Sequence, residues 1–202
     1  MKIKKWEVFL AVFVVLLFCL QFLLVEVIYD QKSLSEKLIR MHVIANSDTA
    51  EDQNLKLEVR DAVNGYLSEK LVNCNDSDVA SHIIMSDLEG IENVAESTLI
   101  KHGCGYSVDV TLSDEIYPTR HYENFSLPAG EYSSLQIKIG DAKGQNWWCV
   151  VFPPLCTSAV TEDDLSEMAL TEDEIDLITS DDGGVVFKFG ILELIQRLKT
   201  RL

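Results

Sequence analysis

From Val8 to Val25 the chain is apolar at every position except Gln21, and Lys2, Lys4 and Lys5 precede the run. Eighteen residues at helical rise span about 27 Å, close to the roughly 30 Å hydrocarbon core of a bilayer. Such a segment crosses a membrane or directs the chain across one, and it fixes the setting in which the remainder folds. Three lysines before it, and no comparable cluster just after Val25, place the N-terminus in the cytoplasm and export everything downstream. The exit from Leu23 to Tyr29 is bulky throughout and lacks the small-residue site of a secretory signal. That favours an uncleaved anchor, with cleavage after the run as the alternative. Cys19 follows the bulky Phe18 and has no small-residue box, so it reads as a thiol packed among apolar neighbours rather than a lipid attachment point.

Residues 1–30 therefore form a signal-anchor or signal peptide, and about 170 residues remain, enough for one domain with a sizeable core. The formal net charge of −16 excludes the basic footprint of a nucleic-acid binder. The acidic excess is concentrated in residues 157–184, which hold ten acidic residues and no basic one, from Glu162 to Asp182. Self-repulsion makes this stretch a solvated, flexible linker with short helical turns at most. It also lacks the fixed ligand spacing and central Gly of an EF-hand loop.

Leu38 to Ala45 alternates, with Ile39, Met41, Val43 and Ala45 on one face and Arg40 and His42 on the other, which predicts a strand. Asn46 to Thr49 supplies N-cap candidates, and Asp48 with Glu51 fits a variant of the capping box, so a helix begins near Thr49. Leu55, Val59, Ala62, Val63, Tyr66 and Leu67 make its buried stripe. After a polar break at 73–78, Ile84, Leu88, Ile91, Ala95 and Leu99 predict one second helix, stopped at Gly103. Alternation returns in Val108, Val110 and Leu112, and again in Leu135, Ile137 and Ile139. Gly140 to Gly144 is short enough to join Leu135–Ile139 to Asn146–Phe152 as a hairpin, and Pro153-Pro154 ends that strand. Residues 31–156 then form an α+β domain, a small, largely antiparallel sheet with its helices packed on one face. Residues 185–202 close the chain as an amphipathic helix, with Ile191, Leu194, Ile195, Leu198 and Leu202 as its stripe and Arg197, Lys199 and Arg201 on the polar side.

The densest polar cluster is His42, Asn46, Asp48, Asp52, Lys56, Arg60 and Asp61. A His near carboxylates invites a general-base reading, and an exported hydrolase using His42 with Asp48 or Asp52 is the alternative function. Against it, Asp48 and Asp52 sit in a first helical turn, where the dipole stabilises carboxylates, and Asp52, Lys56 and Arg60 recur at i, i+4 as charge-paired rungs of a solvated face. No nucleophile elbow, zinc-binding His pair or phosphate-binding Gly loop occurs, and the sequence calls for no cofactor, metal or small-molecule substrate. Cys149 and Cys156, seven residues apart across a Pro-Pro bend, are the pair for a local disulfide, the alternative being two buried thiols. Cys74 and Cys104 lie some 45 Å apart if the second helix is straight, too far to pair. Trp147 and Trp148 point to opposite faces of one strand, so one fills the core and the other needs a cover, either the C-terminal helix or a partner protein.

Three blocks taken together resemble a known family. They are Leu38 to Asp48 continuing through Asp52-Gln53 and Leu55 to Val63, then Leu127-Pro128-Ala129-Gly130-Glu131-Tyr132, then Gly144 to Cys156 with its Asn146-Trp147-Trp148-Cys149 and Phe152-Pro153-Pro154-Leu155-Cys156. In residues, order and spacing they resemble the stage II sporulation protein R family. The resemblance implies a signalling protein of endospore-forming bacteria, exported from the forespore into the space between two membranes. There it would activate a mother-cell membrane aspartic protease that processes the sigma-E precursor, itself remaining non-enzymatic. Candidates for contact with that partner are Arg40, His42, Asn46, Asp48, Arg60, Asp61, Trp147 and Trp148. The chain departs from the pattern in two places: Tyr117-Pro118-Thr119-Arg120 stands where Phe-Pro-Thr-Lys is expected, and Ser133-Ser134 replaces a more apolar pair.

Overall fold

The computed structural model describes residues 4–156, 170–179 and 183–199. The acidic-linker reading falls largely on residues 157–169 and 180–182, outside the described residues, as do Arg201 and Leu202 of the expected C-terminal helix. The first helix, α1, runs unbroken from Lys5 to Lys37, well past the apolar run. Its membrane-length part exposes apolar side chains all round, whereas Val27, Gln31 and Leu34 are buried, with Leu38 buried just beyond the helix. Those four recur at helical spacing, so one helix passes from an exposed apolar segment of membrane-spanning length into the protein core without a linker.

The domain follows as β1 (Ile39–Ile44), α2 (Ala50–Leu71), α3 (Ser77–Ser86), α4 (Leu88–Lys101), β2 (Val108–Tyr117), the short β3 (Arg120–His121) and β4 (Ser126–Leu127), β5 (Gly130–Ile139) and β6 (Asn146–Phe152). Two further helices are α5 (Glu172–Thr179) and α6 (Gly183–Lys199). The main sheet has the order β2-β5-β1-β6. β1 runs parallel to β5, while β1–β6 and β2–β5 are antiparallel, so the α+β class stands with one parallel pairing at its centre. The parallel pair follows from the long crossover through α2, α3, α4 and β2, which lets the chain return in the same direction.

Two expectations need correction. β5 and β6 do not form a hairpin, because β1 lies between them. The connection at 140–145 instead passes over the end of β1, where Lys143 and Gly144 donate their N–H groups to the carbonyls of Asn46 (3.1 Å) and Ala45 (2.9 Å). Gly144 permits that approach, since a Cβ there would overlap the Ser47 carbonyl. The second helix is also two helices. At Asp87 the backbone leaves helical geometry (φ −129°, ψ 22°), and the carboxylate reaches Lys70 (2.6 Å) and the Tyr66 hydroxyl (2.8 Å) on α2. The hydrogen bond from Lys70, aided by Tyr66, outweighs burial and holds the Asp87 carboxyl below its usual value. The break thus exchanges helix continuity for a tie between α2 and the α3–α4 pair.

Strand alternation produces two cores. Ile39, Met41 and Val43 of β1, with Leu135, Ile137, Val108, Val110 and Cys149, pack against Val59, Val63, Leu67, Ile84, Ile91 and Leu99 of α2, α3 and α4. On the opposite face Tyr117, Tyr132, Val150 and Leu155 join Leu34 and Leu38 with Leu177, Ile178 and Phe189 from α5 and α6. α5 is tied to α1 by Glu174, whose carboxylate accepts from Ser33 (2.8 Å) and Lys37 (2.6 Å). Burial works to raise the Glu174 pKa, but the bonds from Lys37, the Thr171 N–H and Ser33 outweigh it and keep the carboxyl below its ordinary value. Gly130 lets α1 close in, because a Cβ there would overlap the Gln31 amide.

The α6 stripe differs from the expected one. Phe189 and Leu192 are buried, while Leu194 and Leu198 point outward.

Truncating a wholly buried α2 residue, Leu67→Ala, is expected to cost about 2–5 kcal/mol, while the exposed Val72→Ala stays within about 0.5 kcal/mol. Urea denaturation of the full chain in detergent checks both.

Candidate functional site

The polar side of β1 carries the chemistry. Arg40 is wholly buried, its guanidinium carbon 3.9 Å from the Tyr117 ring centroid and 5.0 Å from that of Tyr132. Nη2 donates to the Tyr122 hydroxyl at 2.7 Å, and Nε and Nη1 have no hydrogen-bond partner. Burial pushes the Tyr132 hydroxyl up to about 12 and moves Tyr117 and Tyr122 upward as well, with Arg40 pulling each the other way. The phenols are therefore neutral, and the cation is held by ring faces and one hydroxyl rather than by a carboxylate.

His42 lies beside it, nearly buried and stacked on Trp148 with centroids 3.7 Å apart. Its Nδ1 faces Glu115 Oε1 at 3.0 Å and its Nε2 faces Asn146 Oδ1 at 2.8 Å. An ionised carboxylate only accepts, so Nδ1 carries the hydrogen in this pair. Ser134 donates to Glu115 Oε2 at 2.9 Å and lies 2.7 Å from the Tyr117 hydroxyl. The two departures from the expected family pattern therefore touch: Tyr117 for Phe and Ser134 for an apolar residue form one hydrogen-bonded pair across β2 and β5.

Asp48 and Asp52, the carboxylates of the hydrolase reading, are engaged elsewhere. Asp48 accepts from the Gln145 N–H at 2.8 Å, and Asp52 accepts from Asn46 (2.8 Å) and Ser47 (2.5 Å). The hydrogen bond from Ser47 leads in holding the Asp52 carboxyl low, against the opposing effect of burial. Asn46 also accepts from the Asp141 N–H (2.9 Å), and Lys56 donates to Gln53 (2.6 Å) and the Gln145 carbonyl (3.1 Å). Thr49, not Asp48, is the N-cap of α2, accepting from the Asp52 N–H. The expected solvated ladder Asp52–Lys56–Arg60 is thus absent. Asp52 and Lys56 are buried, and burial, with repulsion from Arg60, lowers the Lys56 pKa. This cluster clamps the crossover connection over the end of β1.

Arg60 and Asp61 form a two-point ion pair at 2.7 and 2.9 Å, and the Arg60 guanidinium stacks over Trp147 at 4.3 Å. Arg120 lies 5.0 Å over Trp148. Cys149 and Cys156 are joined as a disulfide with Cα atoms 5.3 Å apart, inside the range a disulfide needs. Both tryptophans, both cysteines and Leu155 line a pocket of about 330 Å³, completed by the Tyr122–Phe125 loop and Arg60. The indole Nε1 of Trp147 is buried without a hydrogen-bond partner.

Of the eight contact candidates, the pocket brings together Arg60, Trp147 and Trp148, with Asp61 behind Arg60. Arg40 and His42 lie beneath it, against Tyr122 and Trp148 of its lining, while Asn46 and Asp48 belong to the clamp. Glu115, Tyr117, Tyr122, Tyr132 and Ser134 were not apparent as site residues. The available signal was parity, since Glu115 and Tyr117 alternate with the apolar positions of β2 and so face the side of Arg40 and His42. Among the described residues no group of His, Cys, Asp and Glu gathers as a metal site.

Comparison with known proteins adds the following. The family described as Stage II sporulation protein R matches residues 35–162 of the chain. A curated relative named Stage II sporulation protein R, from Bacillus subtilis (strain 168), is 40% identical over 121 residues, covering 60% of this chain and 54% of the relative. The chain thus spans about half the length of that relative. No solved structure matches.

Ser134→Ala would strand the buried Tyr117 hydroxyl and is expected to cost about 1–3 kcal/mol. Adding Tyr117→Phe should return part of that loss, because it removes the stranded group; thermal denaturation of the single and double variants measures the coupling, and strictly additive losses would contradict the pairing.

Proposed function

The chain belongs to the stage II sporulation protein R family, and from that premise we propose that it is an exported, non-enzymatic signal of endospore formation. Made in the forespore, it is delivered by α1 into the space between the forespore and mother-cell membranes. It stays tethered by residues 8–25 and activates a membrane-embedded aspartic protease of the mother cell, which then processes the sigma-E precursor.

One observation carries this reading beyond the family name. The block most specific to the resemblance, Asn146 to Cys156, contributes both tryptophans, the disulfide and Leu155 to the pocket. The most distinctive residues are spent on shaping a recess rather than on assembling a nucleophile and base. Aromatic walls and a stacked Arg60 suit an apolar side chain, the kind of anchor by which a protein partner docks. His42 supports the non-enzymatic reading, since both its ring nitrogens already face Glu115 and Asn146.

Co-expressing the full chain with the protease and the sigma precursor in a non-sporulating host tests the proposal. Precursor cleavage that requires all three proteins is expected, and folded His42→Asn and Asp48→Asn variants should still support it. No cleavage with all three proteins present and inserted would overturn the activator role, and cleavage lost in the folded His42 or Asp48 variants would favour the hydrolase.

A further inference from the structure

The outward face of α6 is apolar where water would favour polar side chains. Leu194 and Leu198, one turn apart, are 59% and 56% exposed, although Phe189 and Leu192 of the same helix are buried. What lies next to that face follows from α1. The apolar run ends at Val25, and the exposed Trp6 and Tyr29 flank it 23 residues apart, about 35 Å along a helix, the placement of interfacial aromatics at two membrane surfaces. Glu26 and Asp30 therefore stand at headgroup level. Lys188 of α6 pairs with both of them, at 4.0 Å to Glu26 and 3.4 Å to Asp30, which fixes α6 beside the helix exit.

Charge points the same way. In a chain of net −16, residues 183–202 hold Lys188, Arg197, Lys199 and Arg201 against the single acid Glu193. Lys188 is engaged with Glu26 and Asp30, and Arg197 with Glu193 at 3.4 Å, so the surplus that an anionic bilayer surface attracts comes from the basic residues at the end of this segment's sequence. On the reading of α1 as a membrane span, we propose that α6 is a second membrane contact. Leu194 and Leu198 dip into the headgroup region of the bilayer that α1 crosses. The domain then lies against its own membrane in a fixed orientation instead of swinging on a stalk.

The test uses the full chain with Cys19→Ser, Cys74→Ser and Cys104→Ser, reconstituted in phosphatidylcholine–phosphatidylglycerol vesicles. Single cysteines at Leu194→Cys, Leu198→Cys, Leu16→Cys and Val72→Cys carry a polarity-sensitive fluorophore. Each is challenged with nitroxide lipids and with an aqueous quencher. The expected result is lipid quenching and a blue shift at 194 and 198, as at 16, with aqueous quenching alone at 72. Residues 194 and 198 behaving like 72 while 16 stays in lipid would overturn the second contact and leave the span intact. Shielding of 194 and 198 from both quenchers would also overturn it, since protein rather than lipid would then cover the face. Aqueous quenching at 16 would overturn the span itself and this inference with it.

Discussion

The fold depends on β1 being buried on both of its faces. Five of its six residues are buried, and they alternate between two unlike surroundings. Ile39, Met41 and Val43 meet aliphatic helices, an ordinary hydrophobic contact in which each fully buried side chain stabilises by about 1.5–3 kcal/mol. Arg40 and His42 point the other way; His42 meets Glu115, whereas Arg40 is a buried charge with no carboxylate, which is costly. Tyr117, Tyr132, Tyr122 and Trp148 meet that cost by supplying ring faces and a hydroxyl. Everything on the second face follows from this need for cover: the long β2, the short β3–β4 hairpin that brings Tyr122, and the docking of α1, α5 and α6.

The same requirement connects membrane attachment to folding. α1 does not hang from the domain; its last turns contribute Val27, Gln31 and Leu34 to the buried interior, and Ser33 and Lys37 hold α5 through Glu174. The end of the long apolar segment is thus the start of the second core. The recess at Trp147, Trp148 and the disulfide lies in the same domain whose second core α1 helps to build, so it is held in a fixed relation to the end of that helix.

Much of this was legible in the sequence where periodicity is local. The aliphatic faces of β1, β2 and β5 and the stripe of α2 read directly from spacings of two and three to four residues. Local pattern fails where long-range pairing decides. Gly140 to Gly144 has the length and composition of a hairpin turn, and nothing nearby reveals that β1 lies between the strands it connects. Asp52 and Lys56 look like a solvated i, i+4 pair, but Asn46 and Ser47 close over Asp52 and the Gln145 carbonyl takes Lys56. Asp87 gives no local sign of leaving the helix; it does so because Tyr66 and Lys70 lie across from it. Leu194 and Leu198 satisfy a helical stripe, but the stripe that faces the core runs through Phe189 and Leu192, a choice set by how α6 meets α1. At the site, the tryptophans and Arg60 were visible as unusual residues, whereas Glu115, Tyr117, Tyr122 and Ser134 acquire meaning only from the strand order.

The intact mass of the mature chain recovered from sporulating-cell membranes tests most directly whether α1 is at once anchor and structural element. An N-terminus that keeps residues 8–25 attached to the folded domain is the expected result. A mature chain beginning after Val25 would contradict it, because the domain would then have been cut from the helix that is held to tether and orient it.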